Sequence, residues 1–310
     1  FPPGMANRTT VTTFILVGFT GCHGCQPSIF TSFLFLYIFT VLENLVIVAL
    51  VLQDSRLHKP MYIFLVNLSI LDICYVSITL PNMLVNTLTG NHEIAFTACA
   101  VQLYVFNVLS IGECYLLAVM AYDRYVAICR PLRYTIIMQD RCVLWLLVCS
   151  WSFSFFVPII PTWLLTHLDF CGPNHIEHYF CDTSPLVSLS CDENMVKELS
   201  VFVGFIPFSL IILSYVYIAR SILRIRTTKG RQKAFYTCSS HLTVVCLLYL
   251  TIFCLYMRPT TSFTLDSDKL ISLLYTTLTP MLNPIIYSLK NKDVKSALKR
   301  LMTQNKTLLV

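Results

Sequence analysis

The chain has 310 residues, of which 56% are apolar and only 12% are charged, with a formal net charge of +6 at pH 7. Soluble domains carry about 25% charged residues, and a soluble chain of this length has too little interior to hide so much apolar surface. A soluble enzyme, a nucleic-acid-binding protein and a disordered scaffold are therefore poor fits, and we expect a protein whose solvent is largely lipid.

Seven continuous apolar stretches are each long enough to cross about 30 Å of hydrocarbon. They cover residues 29–51, 61–88, 98–128, 142–165, 196–220, 236–257 and 269–289. Their apolar residues do not alternate with polar ones, which argues against an outer-membrane barrel, and in lipid each stretch satisfies its backbone only as a helix. We therefore predict an all-α membrane protein built as a seven-transmembrane helix bundle (29–289), preceded by an arm (1–28) and followed by a tail (290–310).

Basic residues set the predicted orientation, because loops that carry many Lys and Arg side chains stay in the cytosol. All but four of the 22 basic residues lie near the end of the first, third, fifth or seventh stretch or in the segment that follows it. We therefore expect the arm to be extracellular and the tail to be cytoplasmic. In the tail, Val294, Leu298 and Leu301 share one face and predict a short amphipathic helix. Asn7 begins a sequon on the arm and is the predicted N-glycosylation site.

Polar side chains inside the predicted spans are costly in lipid and are usually functional. Asp72 and Glu113 fall within the second and third stretches, Glu43 and Asn44 within the first, and Asn283 within the seventh. Brought together, they would form a polar core able to hold a cation, and the one cofactor we consider is a sodium ion near Asp72 and Glu113. The alternative is that these groups only make interhelical hydrogen bonds that stabilise packing. No other cofactor or metal is expected.

Six of the 14 cysteines fall on the predicted outer side, where disulfides form. They are Cys22, Cys25, Cys99, Cys171, Cys181 and Cys191. Spacing alone leaves their connectivity open, although a bridge from Cys99 to the long loop that holds three of them would pin that loop over the mouth of the bundle. Cys22 and Cys25 are interpreted as a local bridge or as two thiols.

The third stretch ends in the sequence MAYDRYVAIC (120–129), which places an acid beside an arginine where the helix leaves the membrane. Pairing of Asp123 with Arg124 would hold the arginine until a helix shift or a partner releases it. A two-state element of this kind is what a transmembrane switch requires.

This segment resembles the signature of olfactory receptors, a large branch of the rhodopsin-like G-protein-coupled receptors, and the resemblance extends over nearly the whole chain. Four further motifs are similar to those of the family and occur in the same order: LHKPMY at 57–62, SY at 214–215, KAFYTCSSH at 233–241 and PMLNPIIYSL at 280–289. The tail is similar to that of the larger, tetrapod-type class of these receptors.

The chain departs from the family pattern at a few positions. Glu43 stands where the family usually has glycine, and Tyr236 stands where serine is commoner. In span six the common Phe-Tyr-Gly is Leu248, Tyr249 and Leu250, so the tyrosine expected to sense ligand is kept while the glycine is lost.

The resemblance implies an odorant receptor that binds a small, neutral, volatile organic molecule and activates a stimulatory, olfactory-type G protein to raise cyclic AMP. It implies a multi-pass protein of the plasma membrane, in the cilia of olfactory neurons, with lipid around it, no nucleic-acid partner and no enzymatic activity. It also implies a disulfide between Cys99 and Cys181 and another between Cys171 and Cys191.

The resemblance further implies two sets of site residues. The ligand-binding set comprises Leu103, Phe106, Asn107, Ser110, Ile111, Leu199, Ser200, Val203, Ile252, Phe253, Tyr256, Leu273 and Thr276. The set for activation and G-protein coupling comprises Asp123, Arg124, Tyr125, Tyr215, His241, Tyr249, Asn283, Pro284 and Tyr287. For each member of the ligand set, helix packing is the competing interpretation.

Rival functions receive less support. The sequence has no glycine-rich phosphate loop and no HExxH motif, so an enzyme is not indicated. Asp72 and Glu113 would suit the ion path of a channel or transporter, but the seven stretches show no internal symmetry of the kind common in transporters. A rhodopsin-like receptor for a non-odorant metabolite is the remaining alternative.

Overall fold

The seven predicted spans are confirmed. The computed structural model describes residues 11–19, 24–171, 173–191, 194–256 and 265–308, with the side chains of 194–202, 256, 265–268, 289, 290, 292, 302 and 304–308 left undescribed. Within these ranges, seven helical segments are long and apolar enough to cross a membrane. We number them as spans 1 to 7 in chain order.

The spans have the following bounds. Span 1 is Gln26–Gln53, span 2 is Pro60–Thr89, span 3 is Phe96–Cys129, span 4 is the helix pair Asp140–Phe156 and Ile159–Thr166, span 5 is Asn194–Arg224, span 6 is Thr228–Tyr256, and span 7 comprises Leu265–Leu273, a π-helical segment Leu274–Leu278 and Thr279–Lys290. Short helical segments lie at Ser55–Leu57, Pro131–Arg133, Tyr134–Ile137 and Thr183–Val187, and a final helix runs over Lys292–Leu308.

Prolines account for the two interrupted spans. Pro158 lies between the two helices of span 4 and lacks the N–H that would continue the first one. In span 7 the π-helical segment ends two residues before Pro280, and threonine hydroxyls donate to carbonyls that the irregular backbone leaves without a partner. The hydroxyl of Thr279 donates to the carbonyl of Leu274 at 3.0 Å. Such side-chain help is how lipid-embedded helices tolerate a break.

Span 3 runs through the centre of the bundle, and a glycine sets its closest approach. A Cβ atom built on Gly112 would lie 3.0 Å from Cδ1 of Leu71 in span 2 and 3.1 Å from Oγ of Ser154 in span 4. Those separations are shorter than ordinary van der Waals contact. A hydrogen at this position therefore lets three spans meet, as small residues do in other membrane helix bundles.

A three-stranded sheet caps one end of the bundle, which sequence reasoning did not predict. Its strands are β1 (Thr13–Leu16), β2 (Glu93–Ala95) and β3 (His175–Ile176), in the order β2-β1-β3. β1 pairs antiparallel with β2 and parallel with β3. Strands of two to four residues are too short to show a period in the sequence.

Two disulfides lie at the same end, which we call the disulfide end. Cys99 is bonded to Cys181 and Cys171 to Cys191, the pairs that the family resemblance implies. Cys25 is also disulfide-bonded. The first bridge joins the start of span 3 to the loop between spans 4 and 5, so that loop is held against the bundle.

The final helix is anchored to the opposite end by polar contacts. Asp54 accepts hydrogen bonds from the guanidinium of Arg300. Nζ of Lys59 lies 3.0 Å from Oδ2 of Asp293, and the Tyr62 hydroxyl donates to Asn291 at 3.1 Å. The neighbouring cations hold the pKa of Asp54 and of Asp293 below the usual carboxyl range.

The apolar face predicted for this helix is only partly right. Val294 is buried and Leu301 packs against the core as expected, but Ala297 is buried beside Val294 and Leu298 is 37% exposed. The helix turns Ala297 inward because it lies three residues after Val294 on the same face.

We predict that Asp54→Asn and Asp293→Asn loosen the final helix. Both carboxyl pKa values are lowered by folding. The ion pairs therefore stabilise the helix at any pH above the ordinary carboxyl pKa, and this stabilisation is lost as the pH falls to the lowered pKa values. At pH 7, amide protection factors within Lys292–Leu308 should fall about two- to fivefold, as measured by hydrogen exchange.

The matched control is Asp140→Asn, which removes an exposed acid that makes no ion pair with the described part of the final helix. Equal protection factors in the wild type and both variants at pH 7 would contradict the anchoring role.

Candidate functional site

A cavity of about 170 Å³ lies inside the bundle between spans 3, 4, 5 and 6. An apolar cavity of about 150 Å³ suffices to bind benzene, so this one accommodates a molecule of roughly one ring. None of its described lining residues is charged. They are Asn107, Ser110, Ile111, Cys114, Pro158, Pro161, Thr183, Val203, Gly204, Phe205, Phe208, Tyr249, Ile252 and Phe253.

Six members of the ligand-binding set predicted from the sequence line this cavity. They are Asn107, Ser110, Ile111, Val203, Ile252 and Phe253. Three others, Leu199, Ser200 and Tyr256, lie outside the described side chains, as does Asn7 on the arm. The three span 3 residues reach the cavity together because the spacing i, i+3 and i+4 places them on one face of the helix.

The structure places four residues of that set elsewhere. Leu103 is fully buried one turn nearer the disulfide end, and Leu273 packs against the main core. Phe106 directly precedes Asn107, and this one-residue step turns it by about 100° around the helix. Thr276 is held by the polar contacts of the loop that covers the bundle, described below.

Phe106 belongs to an aromatic cluster beneath the loop. Its ring centroid lies 4.7 Å from that of Phe180, 5.1 Å from that of Tyr75 and 6.1 Å from that of Tyr275. These separations and the tilted ring planes are those of favourable aromatic pairs. Phe106 therefore supports the roof of the bundle and does not line the cavity.

Sequence reasoning missed seven of the lining residues. They are Cys114, Pro158, Pro161, Thr183, Gly204, Phe205 and Phe208. Helical spacing could have found one of them, since Cys114 lies three residues after Ile111. Pro158 and Pro161 line the cavity because the break between the two helices of span 4 opens there.

Two polar groups of the cavity have no hydrogen-bond partner within the described part of the chain. The amide of Asn107 makes no hydrogen bond, and the hydroxyl of Tyr249 is buried without one. Ser110 differs, because its hydroxyl is in contact with the hydroxyl of Tyr275. A buried polar group without a partner is costly, so the cavity offers a ligand one hydroxyl donor and one amide.

The loop after span 4 closes the disulfide end through hydrogen bonds. The amide N–H of Cys181 donates to Oε1 of Gln102 at 3.0 Å, and Nε2 of Gln102 donates to the carbonyl of Ile78 at 2.8 Å. The hydroxyl of Thr276 donates to the carbonyl of Ser272 at 2.9 Å and accepts from the hydroxyl of Tyr179 at 2.6 Å. The loop is thereby joined to spans 2, 3 and 7.

An ion pair adds to this closure. Nζ of Lys269 in span 7 lies 3.7 Å from Oε2 of Glu177, and the lysine side chain is only 6% exposed. Beside it, burial and the charge of Lys269 lower the pKa of His178 to about 3. His178 is therefore neutral at physiological pH, and its ring stacks on that of Tyr179 at 4.6 Å.

The predicted polar core forms between spans 1, 2, 3 and 7. Nδ2 of Asn283 donates to both carboxylate oxygens of Asp72 at 3.2 and 3.1 Å. Nδ2 of Asn44 donates to the carbonyl of Pro280 at 3.2 Å. Glu113 is buried, and the oxygens Oε1 of Glu113, Oδ1 of Asn283 and Oδ1 of Asn44 have no described partner.

This core offers oxygen atoms and no sulfur or nitrogen ligand. Within the described residues, no three His, Cys, Asp or Glu side chains form a group suited to a metal ion. Unpartnered carboxylate and amide oxygens nevertheless suit a hard cation. These are the kinds of oxygen ligand that a sodium ion would use, and the ion itself stays a prediction.

The structure corrects the predicted pairing of Asp123 with Arg124. Oδ1 of Asp123 accepts a hydrogen bond from the hydroxyl of Tyr134 at 2.7 Å, and no ion pair joins it to Arg124. Neighbouring residues of a helix point about 100° apart, so the acid reaches the segment after span 3 while the arginine points into the bundle. Nε of Arg124 is buried without a described partner.

Arg124 lines a second cavity, of about 460 Å³, at the end opposite the disulfides. Asp123, His241 and Tyr287 line it too, so four members of the predicted coupling set meet there. Lys59 and Lys233 line it as well, but so do Asp123 and Asp293, and Asp293 is paired with Lys59. Arg124 can donate hydrogen bonds here to a carbonyl or an anionic group.

His241 connects three spans at this level. Its Nε2 faces the carbonyl of Leu117 at 3.0 Å, so that nitrogen carries the proton, and Nδ1 accepts from the hydroxyl of Tyr215 at 2.7 Å. Span 6 is thereby tied to spans 3 and 5.

The remaining members of the coupling set are distributed through the bundle. Tyr125 contacts Tyr217 with ring centroids 5.8 Å apart. Pro284 lies inside the last helix of span 7, Asn283 belongs to the polar core, and Tyr249 lines the 170 Å³ cavity.

Comparisons with known proteins agree with this architecture. A family profile described as "Olfactory receptor" matches residues 33–305. The chain is 46% identical over 299 residues to "Olfactory receptor 5G26" of Mus musculus, covering 95% of this chain and 94% of that protein. It is 46% identical over 302 residues to "Olfactory receptor 6B1" of Homo sapiens, covering 96% of each. The crystal structure of squid rhodopsin aligns with a TM-score of 0.69 at 17% identity, covering 92% of this chain and 87% of that one, which is a likeness of fold.

We predict that Tyr215→Phe destabilises the bundle. The change leaves Nδ1 of the buried His241 without its donor, and the free energy of unfolding should fall by about 1–3 kcal/mol. The measurement is the thermal unfolding of the purified protein in lipid nanodiscs.

The control is Tyr217→Phe in the same span, because the Tyr217 hydroxyl makes no hydrogen bond to the described residues. This variant should stay within about 0.5 kcal/mol of the wild type. If both variants unfold at the same temperature, the hydrogen bond to His241 has no role in stability.

Proposed function

The chain belongs to the olfactory receptor family of rhodopsin-like G-protein-coupled receptors, and from this premise we propose that it detects a small, neutral, volatile organic molecule and answers by activating a stimulatory, olfactory-type G protein. Members of this family are multi-pass receptors of the plasma membrane and are not enzymes. We propose the cilia of olfactory neurons as its location and Asn7 as its glycosylated residue.

The observation that carries the proposal is the 170 Å³ cavity. Its walls are apolar except for a few hydroxyl, thiol and amide groups, which is typical of sites for small organic ligands. The described lining holds no charged side chain that would pair with an amine or a carboxylate. The buried hydroxyl of Tyr249 favours a ligand that carries a hydrogen-bond acceptor, such as a carbonyl or ether oxygen.

A path from this cavity toward the G protein is supported by the contacts of span 6. Tyr249 lines the ligand cavity, and His241, two helical turns away in the same span, is bonded to Tyr215 and lines the Arg124 cavity. We propose that ligand contact at Tyr249 shifts span 6 and releases these contacts, so that Arg124 becomes available to the G protein. Rearrangement of packed helices is an established form of receptor switching.

We also propose that the polar core binds a sodium ion in the resting state. Support comes from the unpartnered oxygens of Glu113, Asn44 and Asn283 around Asp72. When present, the ion would neutralise part of the charge that the buried carboxylates bring into lipid. A channel or transporter whose ion path uses the same acids is the rival function. A cyclic AMP assay distinguishes such a protein from a receptor.

In cells that express an olfactory-type stimulatory G protein, we expect some members of a panel of one-ring neutral volatiles to raise cyclic AMP. Cells that lack the G protein should not respond. A ligand-dependent current that follows the ion gradients in the absence of any G protein would favour a channel, and a response confined to non-volatile metabolites would favour the alternative receptor.

We predict that Val203→Trp weakens this response by filling the cavity. A tryptophan adds roughly the volume of an aromatic ring to a space that holds about one ring, so the half-maximal ligand concentration should rise at least about tenfold at normal surface expression. The control is Val216→Trp, a lipid-facing position of span 5 that is 41% exposed. Equal dose-response curves for the two variants would show that the ligand binds elsewhere.

A further inference from the structure

The wall of the ligand cavity toward spans 5 and 6 is only one side chain thick. Phe205 of span 5 and Phe253 of span 6 both line the cavity. At the same time, 47% of Phe205 and 62% of Phe253 is exposed on the outside of the bundle. In a seven-span membrane protein that outer surface faces hydrocarbon. Two phenylalanine rings therefore separate the cavity from the bilayer.

The backbone beside this wall is also open. Gly204 lines the cavity, and a Cβ atom built on it would have no heavy atom within 4 Å. This glycine therefore leaves space next to Phe205. A phenylalanine ring that changes rotamer can move into such space without disturbing the helix backbone.

The described part of the disulfide end presents a much stronger barrier. Phe180 and Cys181 are fully buried over the bundle, and the disulfide to Cys99 prevents the loop from moving away as a whole. Lifting the rest of the loop breaks the hydrogen bond between Tyr179 and Thr276 and the ion pair between Glu177 and Lys269. Each step leaves a buried polar group without its partner.

The two barriers differ in what must be broken. Turning the rings of Phe205 and Phe253 breaks no hydrogen bond. The rings only lose apolar contacts within the wall and gain contacts with lipid. Exposed side chains change rotamer in nanoseconds, whereas loop opening with local unfolding is orders of magnitude slower. The lateral wall is therefore a faster route than one that opens the described loop.

We propose that the ligand reaches the cavity sideways from the bilayer, between spans 5 and 6, past Phe205 and Phe253. Apolar volatile molecules partition into hydrocarbon, so the membrane concentrates them beside this wall. The proposal rests on the proposed function for the nature of the ligand, but the route itself is a property of the cavity and can be tested without any receptor response.

The experiment uses phenyldiazirine, a neutral one-ring molecule that partitions into lipid and forms a reactive carbene when illuminated. The full-length protein in lipid nanodiscs is mixed with the probe and illuminated by a flash after increasing delays. Mass spectrometry then measures carbene adducts on the peptide that contains residues 107–114. Cys114 in this peptide is buried and lines the cavity, so adducts there report that the probe has arrived inside.

Phe205→Ala and Phe253→Ala should each raise the rate of adduct formation on Cys114 at least fivefold, and Gly204→Trp should lower it to a similar extent. Tyr179→Phe and Glu177→Gln, which weaken the loop closure, should leave the rate unchanged. The matched control is Phe156→Ala, because Phe156 is 70% exposed on span 4 and does not line the cavity. Phe253→Leu serves where an alanine variant does not fold, with a smaller increase expected.

Faster labelling in the two loop variants, together with unchanged rates in the wall variants, would overturn the lateral route. So would the absence of adducts on residues 107–114 in every protein while lipid-facing residues are labelled.

If labelling is faster in the wall variants but no volatile raises cyclic AMP, the route stands and the proposed function fails. If volatiles raise cyclic AMP but labelling follows the loop variants, the proposed function stands and the route fails.

Discussion

The constraint on which the structure depends is that a polar group inside lipid has no water to bind and must find its partner within the bundle. Asn283 and Asp72 solve it by bonding to each other across two spans, and Asn44 by reaching the carbonyl of Pro280. His241 finds partners for both of its ring nitrogens, in the carbonyl of Leu117 and the hydroxyl of Tyr215. Each of these bonds joins different helices, so satisfying polar groups is also what fixes the helices relative to one another.

Three buried polar groups that have no described partner lie at the candidate sites. The hydroxyl of Tyr249 faces the ligand cavity, Oε1 of Glu113 lies in the polar core, and Nε of Arg124 lies at the second cavity, all buried without a described partner. Leaving such groups unsatisfied costs stability. A ligand, an ion or a partner that supplies the missing contact removes part of this destabilisation when it binds. Binding is therefore favoured at these three places.

The positions where this chain departs from its family are accommodated in different ways. Leu250, in place of the usual glycine, is 64% exposed and points to lipid, while Leu248 is fully buried in the core. The side chain added at Leu250 therefore meets hydrocarbon, whereas at Leu248 a smaller leucine replaces phenylalanine among packed side chains. Tyr236 is half exposed and lines the Arg124 cavity. Glu43 keeps a buried oxygen without a partner, and nothing in the structure explains that substitution.

The sequence by itself determined the solvent, the number of spans and the family, because twenty-residue apolar stretches and contiguous motifs are local signals. The resemblance to the family also placed Asn107, Ser110 and Ile111 correctly in the cavity, since positions along a continuous helix can be matched motif by motif. Only the tertiary structure decided that Phe106 supports the roof, that Asp123 pairs with Tyr134 and not with Arg124, and that Pro158 and Phe205 line the cavity. Those outcomes depend on helix rotation and on which spans meet, and residues far apart in the chain set both.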